Sequence, residues 1–221
     1  MIVSRRHGYI FVHIPKTGGT ALALALEARA AADDILIGDT PKARRRRHRL
    51  TGVVTAGRLW KHSRLADIEG LVARAELPRF RVFTIVRNPW ERLASLYHWL
   101  RVQSFEHPQV RLARGLDFAG FLAAPEVAEA FRASPSAAYV TDGAGTEHCA
   151  LWLRHERLAE DLPRLEALIG LRLPALARVN ASDRPADWRR LYSDASAARV
   201  AEICAEDIAR FGWRFGPAPG G

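Results

Sequence analysis

Gly8-Tyr9-Ile10-Phe11-Val12-His13-Ile14-Pro15-Lys16-Thr17-Gly18-Gly19-Thr20 changes character twice. After Gly8 and up to Ile14 the residues are aromatic or β-branched, and the run stops at Pro15, which fits a buried strand. After the glycine pair, Thr20 to Ala32 is nearly all Ala and Leu, with Thr20, Glu27 and Arg29 as the exceptions. Residues of such high helix propensity predict a helix. The unit is strand, glycine turn, helix.

The same arrangement recurs downstream. Arg79 to Arg87 contains a second buried-strand candidate, and Asn88-Pro89 supplies an N-cap followed by proline at the first helical position. Leu93, Leu96, Tyr97 and Leu100 then follow at helical spacing. Strands that feed helices in this way argue for an α/β fold with a central parallel sheet flanked by helices. Ser63 to Ala75 reads as a helix with Leu65, Ile68, Leu71 and Val72 on one face. Cys149 to Leu153 reads as a strand, and Leu158 to Ile169 and Ala195 to Phe211 as amphipathic helices. The length suits one domain, expected over residues 1–215, and Gly216 to Gly221 reads as a disordered tail.

Pro15-Lys16-Thr17-Gly18-Gly19-Thr20 is the first site candidate. Glycines let the backbone bend tightly and aim successive N–H groups at an anion held over a helix N-terminus. Lys16 adds a point charge, and Thr17 and Thr20 add hydroxyls. The competing reading is a purely structural turn. A Walker A loop is excluded, because that motif places its lysine after the glycines and this sequence places Lys16 before them. Arg87 and Ser95 form the second candidate. A forked guanidinium at a strand end and a hydroxyl two turns into the next helix suit a terminal phosphate. Arg92 between them also reads as an ordinary ion-pair residue.

Taken together, these stretches resemble the PAPS-dependent sulfotransferases (PAPS, 3'-phosphoadenosine 5'-phosphosulfate). Phe11 to Thr20 is similar to the family's 5'-phosphosulfate loop, and Ile85 to Tyr97 to its 3'-phosphate motif. The nearest branch is the carbohydrate type, with heparan sulfate and chondroitin enzymes and bacterial relatives. Leu153 to Leu158, Val179 to Ser182 and Ala205 to Trp213 resemble its later blocks. The resemblance implies a single P-loop-like domain with PAPS as co-substrate and adenosine 3',5'-bisphosphate (PAP) as product. It places Lys16 at the sulfate end, Thr17, Gly18, Gly19 and Thr20 on the 5'-phosphate, Arg87 and Ser95 on the 3'-phosphate, and Asn180 and Ser182 over the nucleotide. Relatives usually carry a glutamine before the middle strand, where this chain has Ser134-Pro135-Ser136-Ala137-Ala138-Tyr139.

Sulfuryl transfer needs a base for the acceptor hydroxyl, and histidine suits that work near neutral pH. Position must choose among His7, His13, His48, His62, His98, His107, His148 and His155. Leu59-Trp60-Lys61-His62-Ser63 resembles the base-bearing segment of bacterial relatives, which selects His62; His48, inside an arginine run, is the rival. His13 lies on the opposite strand face from Ile10, Val12 and Ile14, where it orients the phosphate loop. No metal is expected.

The net charge of +9 and a pI near 10.5 raise a polyanion-binding alternative. Arg44, Arg45, Arg46, Arg47 and Arg49 concentrate that charge, either as a solvated loop or as an anion-binding entrance. Lys16, Lys42 and Lys61 are the only lysines, so a lysine in the glycine turn invites explanation. No nucleic-acid recognition motif accompanies the charge, and a nucleotide phosphotransferase would need a Walker lysine and magnesium ligands that the sequence lacks. Cys149 and Cys204 lack the spacing of a disulfide framework or zinc site. With neither a signal-peptide pattern nor a long apolar run, the chain is expected to be cytoplasmic. The acceptor is expected to be a hydroxyl compound, neutral or anionic: a glycan, lipid headgroup or small metabolite.

Overall fold

The computed structural model describes residues 1–177 and 187–216. Among these residues five strands form one sheet: β1 (Ile2–Ser4), β2 (Tyr9–Val12), β3 (Ile35–Leu36), β4 (Arg81–Val86) and β5 (Cys149–Arg154). Their order is β3-β1-β2-β4-β5. β2, β4 and β5 run parallel, with Val12 opposite Thr84 and Ile85 opposite Leu153. The sheet is nevertheless mixed rather than wholly parallel, because β1 pairs antiparallel with both β2 and β3. The short connection from Arg5 to Gly8 can close a hairpin but cannot return the chain for a parallel strand. Gly8 makes the turn at φ +64°.

The helices are α1 (Gly19–Ala28), α2 (Pro41–Arg46), α3 (Pro89–Arg101), α4 (Pro108–Gly115), α5 (Phe118–Ala123), α6 (Pro125–Arg132), α7 (Ser136–Tyr139), α8 (Leu158–Ile169), α9 (Asp194–Ile203) and α10 (Ala205–Phe211). They fall into two compact units. Residues 1–86 and 136–179 make the first, and residues 87–135 and 180–221 the second. The first unit holds the whole sheet with α1, α2, α7 and α8, and its core stacks Tyr9 and Phe11 on Phe83 at 5.6 Å each, beside Leu22, Leu26 and Leu165. The second, in its described residues, holds helices and no strand. In it Trp90 donates through Nε1 to the Ala197 carbonyl at 2.9 Å, and the Tyr192 hydroxyl donates to the Trp90 carbonyl at 2.7 Å.

Three local expectations change. Ser63 to Ala75 is not one helix; it contains a 3-10 turn at Ala66–Ile68, and another begins at Arg74. Gly70 sits at φ +106°, and the Asp67 and Glu69 carbonyls accept from Gly57 and Ala56, so tertiary bonds replace the helical ladder. Ala195 to Phe211 divides at Cys204 into α9 and α10. The arginine run is ordered: Thr40 caps α2 by accepting from Ala43 N at 3.1 Å, Pro41 opens it, and a 3-10 turn follows over Arg47–Leu50. Arg46 donates to the Ala31 carbonyl at 2.7 Å and Arg49 to that of Ala32, so these two guanidiniums tie the turn to the segment after α1. Among the described residues no helix is long and apolar enough to cross a membrane.

Candidate functional site

The sheet puts the ends of its three parallel strands side by side, and chemistry-bearing residues follow each end. Loops at the carboxyl ends of parallel strands are the usual ligand-binding edge of such sheets. After β2 come His13 and the glycine turn, and after β5 comes His155. After β4 the next residue in the chain is Arg87.

The turn itself has a backbone suited to an anion. Lys16, at φ +65°, is the one non-glycine residue with positive φ among those described, and Gly18 follows at φ +84°. Left-handed residues in close succession turn backbone N–H groups to one side, forming a concavity that favours negative charge. At the N-cap of α1, Gly18 offers no side-chain acceptor, and no acidic residue lies in the first turn. The helix thus starts without the side-chain oxygen that commonly satisfies its first donors. Thr17 is buried, and its hydroxyl donates to the Ile14 carbonyl at 2.9 Å, so its proton closes the turn and its N–H remains the group it can offer an anion.

Two histidines hold the turn from either side. A Cβ on Gly19 would lie 2.7 Å from His13 Nε2, and one on Gly18 would lie 2.6 Å from His155 Cδ2. Both rings therefore press against glycine backbone where no side chain fits. Gly18→Ala should be poorly tolerated: it adds left-handed strain of roughly 1–2 kcal/mol and pushes on His155. Thermal melts should show that loss, and PAP titration should show a weakened anion site; an unchanged melting temperature and affinity would contradict this account of the turn.

His62 is the second chemical element. Its Nδ1 lies 2.7 Å from the His13 carbonyl oxygen. A carbonyl only accepts, so Nδ1 carries the proton in the neutral ring and the basic lone pair is on Nε2. The ring is half-buried and meets two others edge-on, His13 at 4.7 Å and Trp60 at 5.0 Å between centroids. His48, the rival base, is exposed, with its Nδ1 3.1 Å from the Arg45 carbonyl within its own turn.

Burial, and then the neighbouring His62, hold the His13 imidazole well below its usual range, so it is neutral. The unfolded chain takes up this proton near the ordinary value of 6.5 and the folded chain does not. Between that value and the depressed folded one, each fall in pH favours unfolding, and the neutral ring's contribution is complete only above the unfolded value. Melting temperature should therefore drop on acidification below about pH 6.5, and less steeply in His13→Asn. An equal slope in the variant would remove this assignment.

The second unit contributes Arg87 and Ser95, both buried. Arg87 donates to Glu91 Oε1 at 2.7 Å, one helical turn on. Asn88 caps α3 by accepting from Trp90 N at 3.1 Å, and Pro89 occupies its first position, as the sequence predicts. Arg92 is an internal residue of this unit, 4.0 Å from Asp207 and 5.1 Å above the Phe131 ring. The structure thus gathers Lys16, Thr17, Gly18, Gly19, Thr20 and His62 in one unit, and Arg87 and Ser95 in the other. Asn180 and Ser182 lie outside the described residues. Sequence reasoning gave no site role to His155 or Trp60. His155 directly follows a parallel strand, and that position was the available signal. Among the described residues no cluster of His, Cys, Asp or Glu could hold a metal ion.

A family model described as the sulfotransferase family matches residues 1–212. No curated protein matches the chain with significance. Among solved structures the chain is similar to mouse sulfotransferase SULT7A1 complexed with PAP, at 18% identity and a TM-score of 0.47, over 93% of this chain and 85% of that one.

Proposed function

Since the chain belongs to the sulfotransferase family, which takes its sulfuryl group from PAPS and releases PAP, we propose that it delivers that group to an acceptor hydroxyl with His62 as general base. The family match spans both units, and we take them as one catalytic domain over residues 1–215. The observation that carries the base assignment is the bond from His62 Nδ1 to the His13 carbonyl, which fixes the lone pair on Nε2 and ties the base to the residue that buttresses Gly19.

The chain's own groups divide the work. The Lys16 to Thr20 turn binds the 5'-phosphosulfate through backbone N–H groups and the Lys16 ammonium. Arg87 and Ser95 hold the 3'-phosphate, and Asn180 and Ser182 close over the nucleotide. The acceptor oxygen bonds to sulfur as its proton passes to His62 Nε2, and the bond from sulfur to the 5'-phosphate oxygen breaks in line. Negative charge grows on that departing oxygen, and Lys16 neutralises it. By analogy with phosphoryl transfer, positioning and charge stabilisation supply most of the rate.

Incubation with sulfur-labelled PAPS and pools of hydroxyl compounds, followed by mass detection of an added sulfate, tests the activity. Calorimetric titration with PAP and with adenosine 5'-phosphate tests the site. PAP should bind far more tightly, and equal affinities would remove the 3'-phosphate assignment.

A further inference from the structure

A cleft of about 590 Å³ opens within the first unit, and its lining carries a charge pattern that the nucleotide-binding turn does not use. Leu36, Leu50, Val53 and Leu59 give it an apolar wall, and Trp60, 44% exposed, adds an aromatic face. Four charged residues also line it: Arg47, Arg58, Lys61 and Asp39. Lys61 is bound to Asp39 at 2.7 Å, and that bond holds the Asp39 carboxyl below its usual range, so this pair is internally neutral. Arg47 and Arg58 are exposed and form no ion pair among the described residues. The Arg58 guanidinium lies 5.9 Å from the centre of the Trp60 ring. The cleft therefore has an excess of two positive charges above an apolar and aromatic surface.

Trp60 also joins this cleft to the chemistry, since its ring meets His62 edge-on at 5.0 Å. A molecule lying on the indole would therefore lie one ring away from the base. From this we infer that the cleft is the acceptor site, and that it selects a hydroxyl compound with an apolar or aromatic body and an anionic group, the anion being read by Arg47 and Arg58. This rests on the sulfotransferase reading for the word acceptor, while the binding preference itself rests on the cleft alone. It also separates the arginine run by role. Arg46 and Arg49 donate to backbone carbonyls and hold the turn, whereas Arg47 faces the cleft. Forked guanidiniums suit a carboxylate or sulfate, and an apolar surface beside them discriminates against small free anions.

A matched pair of probes isolates the anion: 4-nitrophenyl β-D-glucuronide and 4-nitrophenyl β-D-glucoside share the aromatic ring and the sugar hydroxyls, and only the first carries a carboxylate. Calorimetry on the wild-type chain with PAP present should give the glucuronide roughly tenfold tighter binding. In the Arg47→Ala/Arg58→Ala double variant that preference should vanish, with PAP affinity and melting temperature unchanged because both side chains are exposed. Trp60→Ala should weaken both probes alike. Equal binding of the two probes, binding of neither, or a preference that survives in the double variant overturns the inference. If the carboxylate preference behaves as expected while PAP fails to bind, the cleft stands and the sulfotransferase mechanism falls.

Discussion

His62→Ala lowers turnover by roughly a hundredfold or more while leaving PAP affinity near wild type, the loss expected when a positioned general base is removed. The separation follows from where the contacts lie. His62 touches the His13 carbonyl and the rings of His13 and Trp60, whereas the proposed 5'-phosphate ligands are backbone groups between Lys16 and Thr20. Some cost to the turn is expected because His13 rests on Gly19, and for that reason nucleotide affinity must be measured beside turnover. The pH profile gives an independent check: the wild-type rate should fall on the acid side as the base takes up its proton, and that limb should be absent from the variant. His62→Asn is the informative control, because its amide nitrogen takes the place of Nδ1 and can still donate to the His13 carbonyl without serving as a base. It should retain PAP affinity and remain slow. Near-normal turnover in His62→Ala, with activity abolished by His48→Ala in a folded protein, would transfer the role to His48.

How far the sequence discloses this arrangement depends on how local each cause is. β2, the glycine turn and α1 were legible because every determinant lies within the stretch: β-branched and aromatic residues before Pro15, a glycine pair, and an Ala/Leu run after it. Asn88 and Pro89 were legible for the same reason, since a cap and a proline act on their own helix. Ser63 to Ala75 misled because Leu65, Ile68 and Val72 are indeed buried, but in a segment whose backbone bonds reach residues 56 and 57. Helical spacing of apolar residues does not reveal that the ladder is used elsewhere. β1 escaped because three residues are too short for a periodic signal, and its pairing with β2 and β3 is a tertiary fact. In the arginine run, attention to charge obscured the Thr40-Pro41 helix start that was already present.

The site follows the same rule. Lys16 and the glycines could be singled out as a candidate anion-binding turn from residue type and order. The roles of His13 and His155 as walls against Gly19 and Gly18 could not, because the rings approach across the fold. The choice between His62 and His48 rested on resemblance in the sequence, and the structure adds a physical distinction between them. One ring has its proton fixed by a carbonyl beside the glycine turn; the other is exposed and bonded within its own turn.

Arg87 should account for most of the selectivity for PAP over adenosine 5'-phosphate, and its test has to respect its partner. The guanidinium and the Glu91 carboxylate are both largely buried, at 7% and 15% side-chain exposure, and lie 2.7 Å apart. Arg87→Ala alone would strand that carboxylate in a poorly hydrated place, a cost to folding that could pass for a loss of binding. The Arg87→Met/Glu91→Gln double variant removes both charges at similar volume, so the melting temperature should stay near wild type. PAP affinity should then fall by ~2–4 kcal/mol, roughly 30- to 700-fold, as expected for a desolvated charged hydrogen bond to the 3'-phosphate. Adenosine 5'-phosphate, which lacks that phosphate, should bind about as before. Glu91→Gln alone keeps the guanidinium and should retain the preference for PAP. If the folded double variant still prefers PAP by the wild-type margin, Arg87 is a structural partner of Glu91 and the 3'-phosphate is held by other groups.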